Sequence, residues 1–246
     1  MQWSLIRQLL YALGAFAILA VIGTVLYFSY FYEAPSCTDG KQNQNEAGID
    51  CGGVCTKLCA APNVSVMWAR AVPVAPGVYH AVALVRNPDT GATGDITYEV
   101  SLFDTENVLI ARRTGSLSVG PGEVRTLFEP NVPTGERVPA RTFVDITPGM
   151  FQKQEREPSA VRVLNWDFDE ESRRLVAELQ NQGTTPTVDT VVTALLFNPE
   201  GTLINASQTR SGALRAGERT MVTFTWPLPF TEPIERIDIL PRVVNE

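Results

Sequence analysis

The sequence predicts an all-β fold, two tandem β-sandwiches, set behind one N-terminal transmembrane helix and a small disulfide-rich module. Three observations carry this. The run from Leu9 to Tyr32 holds no charged residue, and all four cysteines lie between Cys37 and Cys59. The rest of the chain is written twice, with a register of 94 residues from Asn87 to Asn181.

The uncharged run, LLYALGAFAILAVIGTVLYFSYFY, has 24 residues. At 1.5 Å per residue that is ample for a hydrocarbon core of roughly 30 Å. A cleaved signal peptide is the rival, but its apolar region is shorter and ends in small residues. This one ends in Tyr27, Phe28, Tyr30, Phe31 and Tyr32, rings of the kind that settle at a membrane interface. Arg7 precedes the run and Glu33 follows it. The positive-inside bias therefore puts the N-terminus in the cytoplasm and everything after residue 33 outside, in a single-pass protein of the cytoplasmic (plasma) membrane.

That address decides the chemistry of Cys37, Cys51, Cys55 and Cys59. An even number of cysteines in a segment too small to bury a core, on the oxidising side of a membrane, is a disulfide framework. Two bridges are expected, and three pairings remain open. The spacings of 13, 3 and 3 intervening residues do not reproduce the paired C-x-x-C knuckles of structural zinc. Between the first two cysteines, Asp39, Asn43, Glu46 and Asp50 offer oxygen donors that would suit calcium. Asp, Asn and Gly are also what turns are made of, so a plain turn explains the same residues. No other cofactor is expected.

The string Cys37, Asp39-Gly40, Asn43, Glu46, Gly48, Asp50-Cys51-Gly52-Gly53, Cys55, Cys59 resembles a cysteine module, DGxxNxxExGxDCGGxC, of bacterial surface and secreted proteins. The resemblance implies a spacer or adhesin-like element in a bacterial envelope.

In the repeat, Leu102-Phe103-Asp104 meets Leu196-Phe197-Asn198 and Leu109-Ile110 meets Leu203-Ile204. Further on, Gly122-Glu123 meets Gly217-Glu218, and Val144-Asp145-Ile146 meets Ile237-Asp238-Ile239. Apolar and polar residues alternate in Tyr98, Val100, Leu102 against Thr97, Glu99, Ser101, and in Val222, Phe224, Trp226 against Met221, Thr223, Thr225, as half-buried strands require. Asn87-Pro88-Asp89, Gly120-Pro121-Gly122, Asn198-Pro199-Glu200-Gly201 and Ala216-Gly217-Glu218 punctuate the strands. About seven short strands per copy is the rhythm of an immunoglobulin-like sandwich. Tyr98-Glu99-Val100-Ser101-Leu102-Phe103-Asp104, and more loosely Thr193 to Asn198 with Gly201, also resemble the FxLYD family of bacterial β-sandwich domains. That resemblance implies an extracytoplasmic interaction or spacer domain without catalysis.

No catalytic constellation is legible. His80, the one histidine, sits in a strand with Ala81 to Val85 read as alternating, and has no motif partner. Asp167, Asp169, Glu170 and Glu171 read as a solvated hairpin tip, and Trp68 and Trp166 as core residues opening the two copies. An enzyme would need a concave pocket with convergent polar groups, and none is expected. The net charge of −7, with no basic stripe, argues against nucleic acid.

The expected organisation is residues 1–34 as cytoplasmic tip and anchor, 35–61 as cysteine module, 62–149 and 159–246 as sandwiches, and 150–158 as linker. The expected function is non-enzymatic: a protein-binding or scaffolding protein of the bacterial envelope, attached through residues 9–32, with an envelope protein as partner and no small-molecule substrate. A structural stalk, or an accessory subunit of a secretion, pilus or envelope-biogenesis complex, is the alternative.

Overall fold

The computed structural model describes residues 2–30, 32, 36–43, 45–155 and 159–244. It divides into two compact units, Met1–Cys55 and Thr56–Glu246.

In the first unit, helix α1 (Gln2–Tyr30) contains the apolar span Ile6–Tyr30, 25 residues of mean hydropathy 2.4 with none of its central window buried. The span is about 38 Å long, enough to cross a bilayer with some tilt. The helix stops two residues short of the expected Tyr32, whose N–H closes the end on the Tyr27 carbonyl at 3.0 Å. Glu33, the first charge on the far side, lies outside the described residues.

The second unit consists of twelve strands, β1 (Ser65–Ala75), β2 (Val78–Arg86), β3 (Ala92–Phe103), β4 (Leu109–Val119), β5 (Val124–Pro133), β6 (Arg141–Lys153), β7 (Val161–Asp169), β8 (Arg174–Asn181), β9 (Asp189–Phe197), β10 (Leu203–Arg210), β11 (Arg219–Thr225) and β12 (Arg236–Val244). Each copy therefore has six strands, where about seven short ones are expected; in the first copy four of them run to 11 residues or more. In the first copy the sheet β1-β2-β5 faces β4-β3-β6, and in the second β7-β8-β11 faces β10-β9-β12. Counted within its own copy, each sandwich joins strands first-second-fifth and fourth-third-sixth, so the sequence repeat is a repeat of topology.

Inward alternation holds in β11, where Val222 and Phe224 are buried between exposed Met221, Thr223 and Thr225, and the expected apolar residues Ile96, Val100 and Leu102 are buried in β3, with Ser101 between them also covered. It fails in β2 and β9. Ala81, Ala83 and Val85 point into the core of the first sandwich, and Val192, Ala194 and Leu196 into that of the second. The residues between them, Val82 with Leu84 and Leu195 with Phe197, meet in a third apolar cluster with Val72, Leu203 and Ala206. The sheets β1-β2-β5 and β10-β9-β12 are thus buried on both faces, as near-continuous apolar strands require. Ala81 to Val85 is such a continuous run, and the alternation expected there is corrected.

The two tryptophans part company. Trp68 lies against this third cluster, edge to face with Phe197 at 6.3 Å, whereas Trp166 is half-exposed at 47%. The core tryptophan of the second copy is Trp226, packed on Phe168 and Phe230. The expected linker 150–158 begins inside β6, where Phe151 is buried against the Cβ-free side of Gly94. Residues 156–158 of it lie outside the described residues. Along the outer edge of β6, the Leu58 N–H meets the Phe151 carbonyl at 2.9 Å and the Lys153 N–H meets Thr56 at 2.7 Å. The edge strands β6 and β12 each hold a proline at matching positions, Pro148 and Pro241, a residue that spoils an edge for further pairing.

Candidate functional site

Three places hold candidate chemistry: the cysteine module, the surroundings of His80, and a cleft between the sandwiches of the second unit.

In the module, Cys37 is bonded to Cys55, Cys51 and Cys59 are also disulfide-bonded, and no cysteine is free. The oxygen donors are largely engaged by the backbone. Both oxygens of Asp50 accept the Gly40 N–H, at 3.1 and 2.9 Å. Glu46, buried, takes the Asn43 and Asp50 N–H groups on Oε2 at 3.3 and 3.2 Å. Its Oε1 lies 3.0 Å from the Cys55 sulfur, which, being in a disulfide, has no proton to donate. Asp39 accepts the Asn43 amide at 2.8 Å and the N–H groups of Ser36 and Lys41, and these bonds, the amide first, hold its carboxyl below the usual range. Asn43 Oδ1 is buried without a partner. Among the described residues, the one group of three potential metal ligands with atoms within 4.8 Å of one another is Cys37, Glu46 and Cys55, of which two form the disulfide. The carboxylates of Asp39, Glu46 and Asp50 do not meet in such a group. What they hold together is a set of tight turns. At Gly53, with φ +54°, a Cβ would stand 1.9 Å from the Asn45 carbonyl oxygen, so the backbone closure admits only glycine.

His80 is a half-buried strand residue. Its Nδ1 accepts the Asn131 N–H at 3.1 Å, its ring lies 4.8 Å from Phe128, and burial lowers its pKa from 6.5 to about 4. It is held neutral and acts as an acceptor, with no nucleophile bonded to it among the described residues. The acidic run is a capped hairpin tip: Asp169 accepts the Ser172 hydroxyl at 2.6 Å and the N–H groups of Ser172 and Glu171, and its carboxyl is lowered, chiefly by that hydroxyl.

The repeated asparagines are built into the scaffold. Asn87, fully buried, donates its amide to the carbonyls of Ala92 and Gly120 at 2.8 Å each and accepts the Asp89 N–H. Asn181 does the same with Thr185, Leu214 and Gly183. Buried polar groups this fully satisfied fix a loop geometry.

A concave site is present, contrary to the expectation that none would be. A cleft of about 770 Å³ opens between the sandwiches, bounded by β4 and β5 on one side and β7, β9, β10 and β12 on the other. Four of its lining residues are Arg125, Arg162, Arg210 and Arg242, against one acid, Glu123. Arg125 is buried, its Nη1 donates to the Ser118 carbonyl, and its Nε has no partner. The hydroxyl of Thr126, on the other face of β5, is likewise buried without a partner. Arg210 is paired with Asp189 at 2.7 Å. Nothing in the sequence marks this site, because its arginines come from four separate strands, β7, β10 and β12 of the second copy and β5 of the first.

No family model matches the chain, and no curated protein is similar to it. Among solved structures, a red sea bream transglutaminase aligns at 15% identity and TM-score 0.26, over 74% of this chain and 29% of that one. An exo-chitosanase of Amycolatopsis orientalis aligns at 11% identity and TM-score 0.15, over 68% of this chain and 25% of that one. The chain spans less than a third of either protein, and likenesses at these scores assign nothing.

Proposed function

We propose that this chain is a membrane-anchored, non-enzymatic protein-binding or scaffolding protein of the bacterial cell envelope, its N-terminus in the cytoplasm and its sandwiches outside. The observation that supports this best is the pairing of α1, an apolar span with none of its window buried, with four cysteines that are all disulfide-bonded. A bare apolar surface of that length needs lipid, and bonded thiols need an oxidising compartment. The resemblance of the module and the repeats to bacterial extracytoplasmic domains points the same way. A partner docks on the sandwich surfaces or on edge strands, of which β6 and β12 carry prolines that disfavour strand addition there.

A structural stalk is the second reading, favoured by the apolar cluster that welds the two sandwiches. Cross-linking in intact membranes, followed by mass spectrometry, separates the two. Recovery of one stoichiometric envelope protein is the expected result, and contacts with lipid and self alone would replace binding with the stalk.

A further inference from the structure

We propose that the cleft between the two sandwiches is a binding site for a multivalent anion whose charge is carried on phosphate or carboxylate oxygens. This goes beyond the scaffolding role and stands on the cleft alone.

The chain as a whole bears a net charge of −7, yet the cleft gathers four arginines against Glu123 in its lining, with Asp189 and Glu129 beside it, bonded to lining Arg210 and Tyr98. A concave site whose sign opposes that of the surrounding protein concentrates ligands of the opposite charge. The wall is also incompletely satisfied. Guanidinium keeps its charge when buried, and a buried charge is tolerated only when its donors are met. Arg125 spends one donor on the Ser118 carbonyl and leaves Nε buried and unmet. Of the buried polar side-chain atoms without partners among the described residues, Arg125 Nε thus belongs to a guanidinium that lines this cleft.

Further along, Arg242 is partly desolvated, which lowers its pKa, while Glu123 opposes that shift. Arg162, exposed, has no ion-pair partner among the described residues. Planar guanidinium groups recognise carboxylate and phosphate oxygens in bidentate fashion, and several arginines around one cavity ask for more than one such group. A volume of about 770 Å³ admits a short charged oligomer rather than a single small ion. Val191, Val163 and Leu240, also in the lining, supply apolar contact between the charged positions.

The test uses the full chain in nanodiscs of phosphatidylcholine, whose headgroups carry no net charge. Calorimetric titration with tripolyphosphate and with propane-1,2,3-tricarboxylate separates the two oxyanion chemistries. Saturable binding of at least one, with Kd below about 1 mM at physiological salt, is expected. The double variant Arg162→Gln/Arg242→Gln, at the open side of the cleft, should weaken it about tenfold or more. Arg112→Gln, removing an exposed arginine outside the cleft that pairs with Glu99, should leave it unchanged. Arg125→Gln is compared only if its melting temperature matches the parent, which is why the rim pair carries the test. No saturable heat with either anion would overturn the proposal, as would an equal loss in the Arg112 variant or unaltered binding in the double variant.

Discussion

The two sandwiches have the same topology and bury opposite sheets against each other. In the first copy the sheet carrying the second strand is covered on both faces, and in the second copy it is the sheet carrying the third. The positions responsible can be paired through the repeat. On the second strand, His80, Val82 and Leu84 face the junction, and their counterparts Arg174, Val176 and Glu178 face solvent. On the third strand it is the second copy that meets the junction, through Leu195 and Phe197, where the first copy has Ser101, buried but outside that cluster, and half-buried Phe103. The residues that set the fold recur, and the residues that set the stacking diverge. Asn87 and Asn181 make the same three bonds, whereas Asp104 pairs with Arg137 and its counterpart Asn198 instead donates to Glu232 at 2.5 Å.

The stacking difference predicts the largest effect. Val82→Asp would bury an unpaired carboxylate in the third cluster and should cost about 3–5 kcal/mol, whereas Val176→Asp, its counterpart on an outer face, should cost less than about 1 kcal/mol. Chemical denaturation of both variants measures this, and equal losses would mean that the sandwiches do not share a core.

The recurring asparagines predict the next. Asn87→Ala and Asn181→Ala each leave carbonyls and an N–H unmet, and each should lose about 2–4 kcal/mol, by similar amounts in the two copies. A loss in one copy alone would show that the shared geometry carries different weight in the two.

A smaller effect comes from His80, which has a hydrogen-bonded, half-buried ring where the second copy has Arg174. Its folded pKa, about 4, lies below the unfolded 6.5, so the unfolded chain binds the extra proton between those values. Stability should therefore be full above about pH 6.5 and fall as the pH drops towards 4, by about 1–2 kcal/mol after allowing for the part of the ring that meets solvent. In His80→Gln that component of the pH profile should vanish. The smallest effect concerns the module: since the carboxylates of Asp39, Glu46 and Asp50 already accept backbone N–H groups, calcium should leave its proteolytic resistance unchanged. A protection that chelation reverses would place an ion on Asp39, Asn43, Glu46 and Asp50.

Much of this molecule could be read from the chain itself. The uncharged run dictates a membrane-length helix, because a backbone in hydrocarbon must meet its own hydrogen bonds. Clustered cysteines after it dictate a stapled module, and the period-two pattern with its Asn, Gly and Pro breaks dictates paired β-sandwiches. Local periodicity reports one buried face per strand, and so it missed the second buried face of β2 and β9, where an all-apolar run is the signal and its partner lies more than a hundred residues away. It also placed Trp166 inside by analogy with Trp68, although neither tryptophan's neighbours along the chain determine what packs on it. The arginine cleft belongs wholly to the tertiary structure. Charges spaced along four strands carry no local pattern: the fold of the second sandwich gathers Arg162, Arg210 and Arg242, and the stacking of the first sandwich on it adds Arg125 and closes the volume.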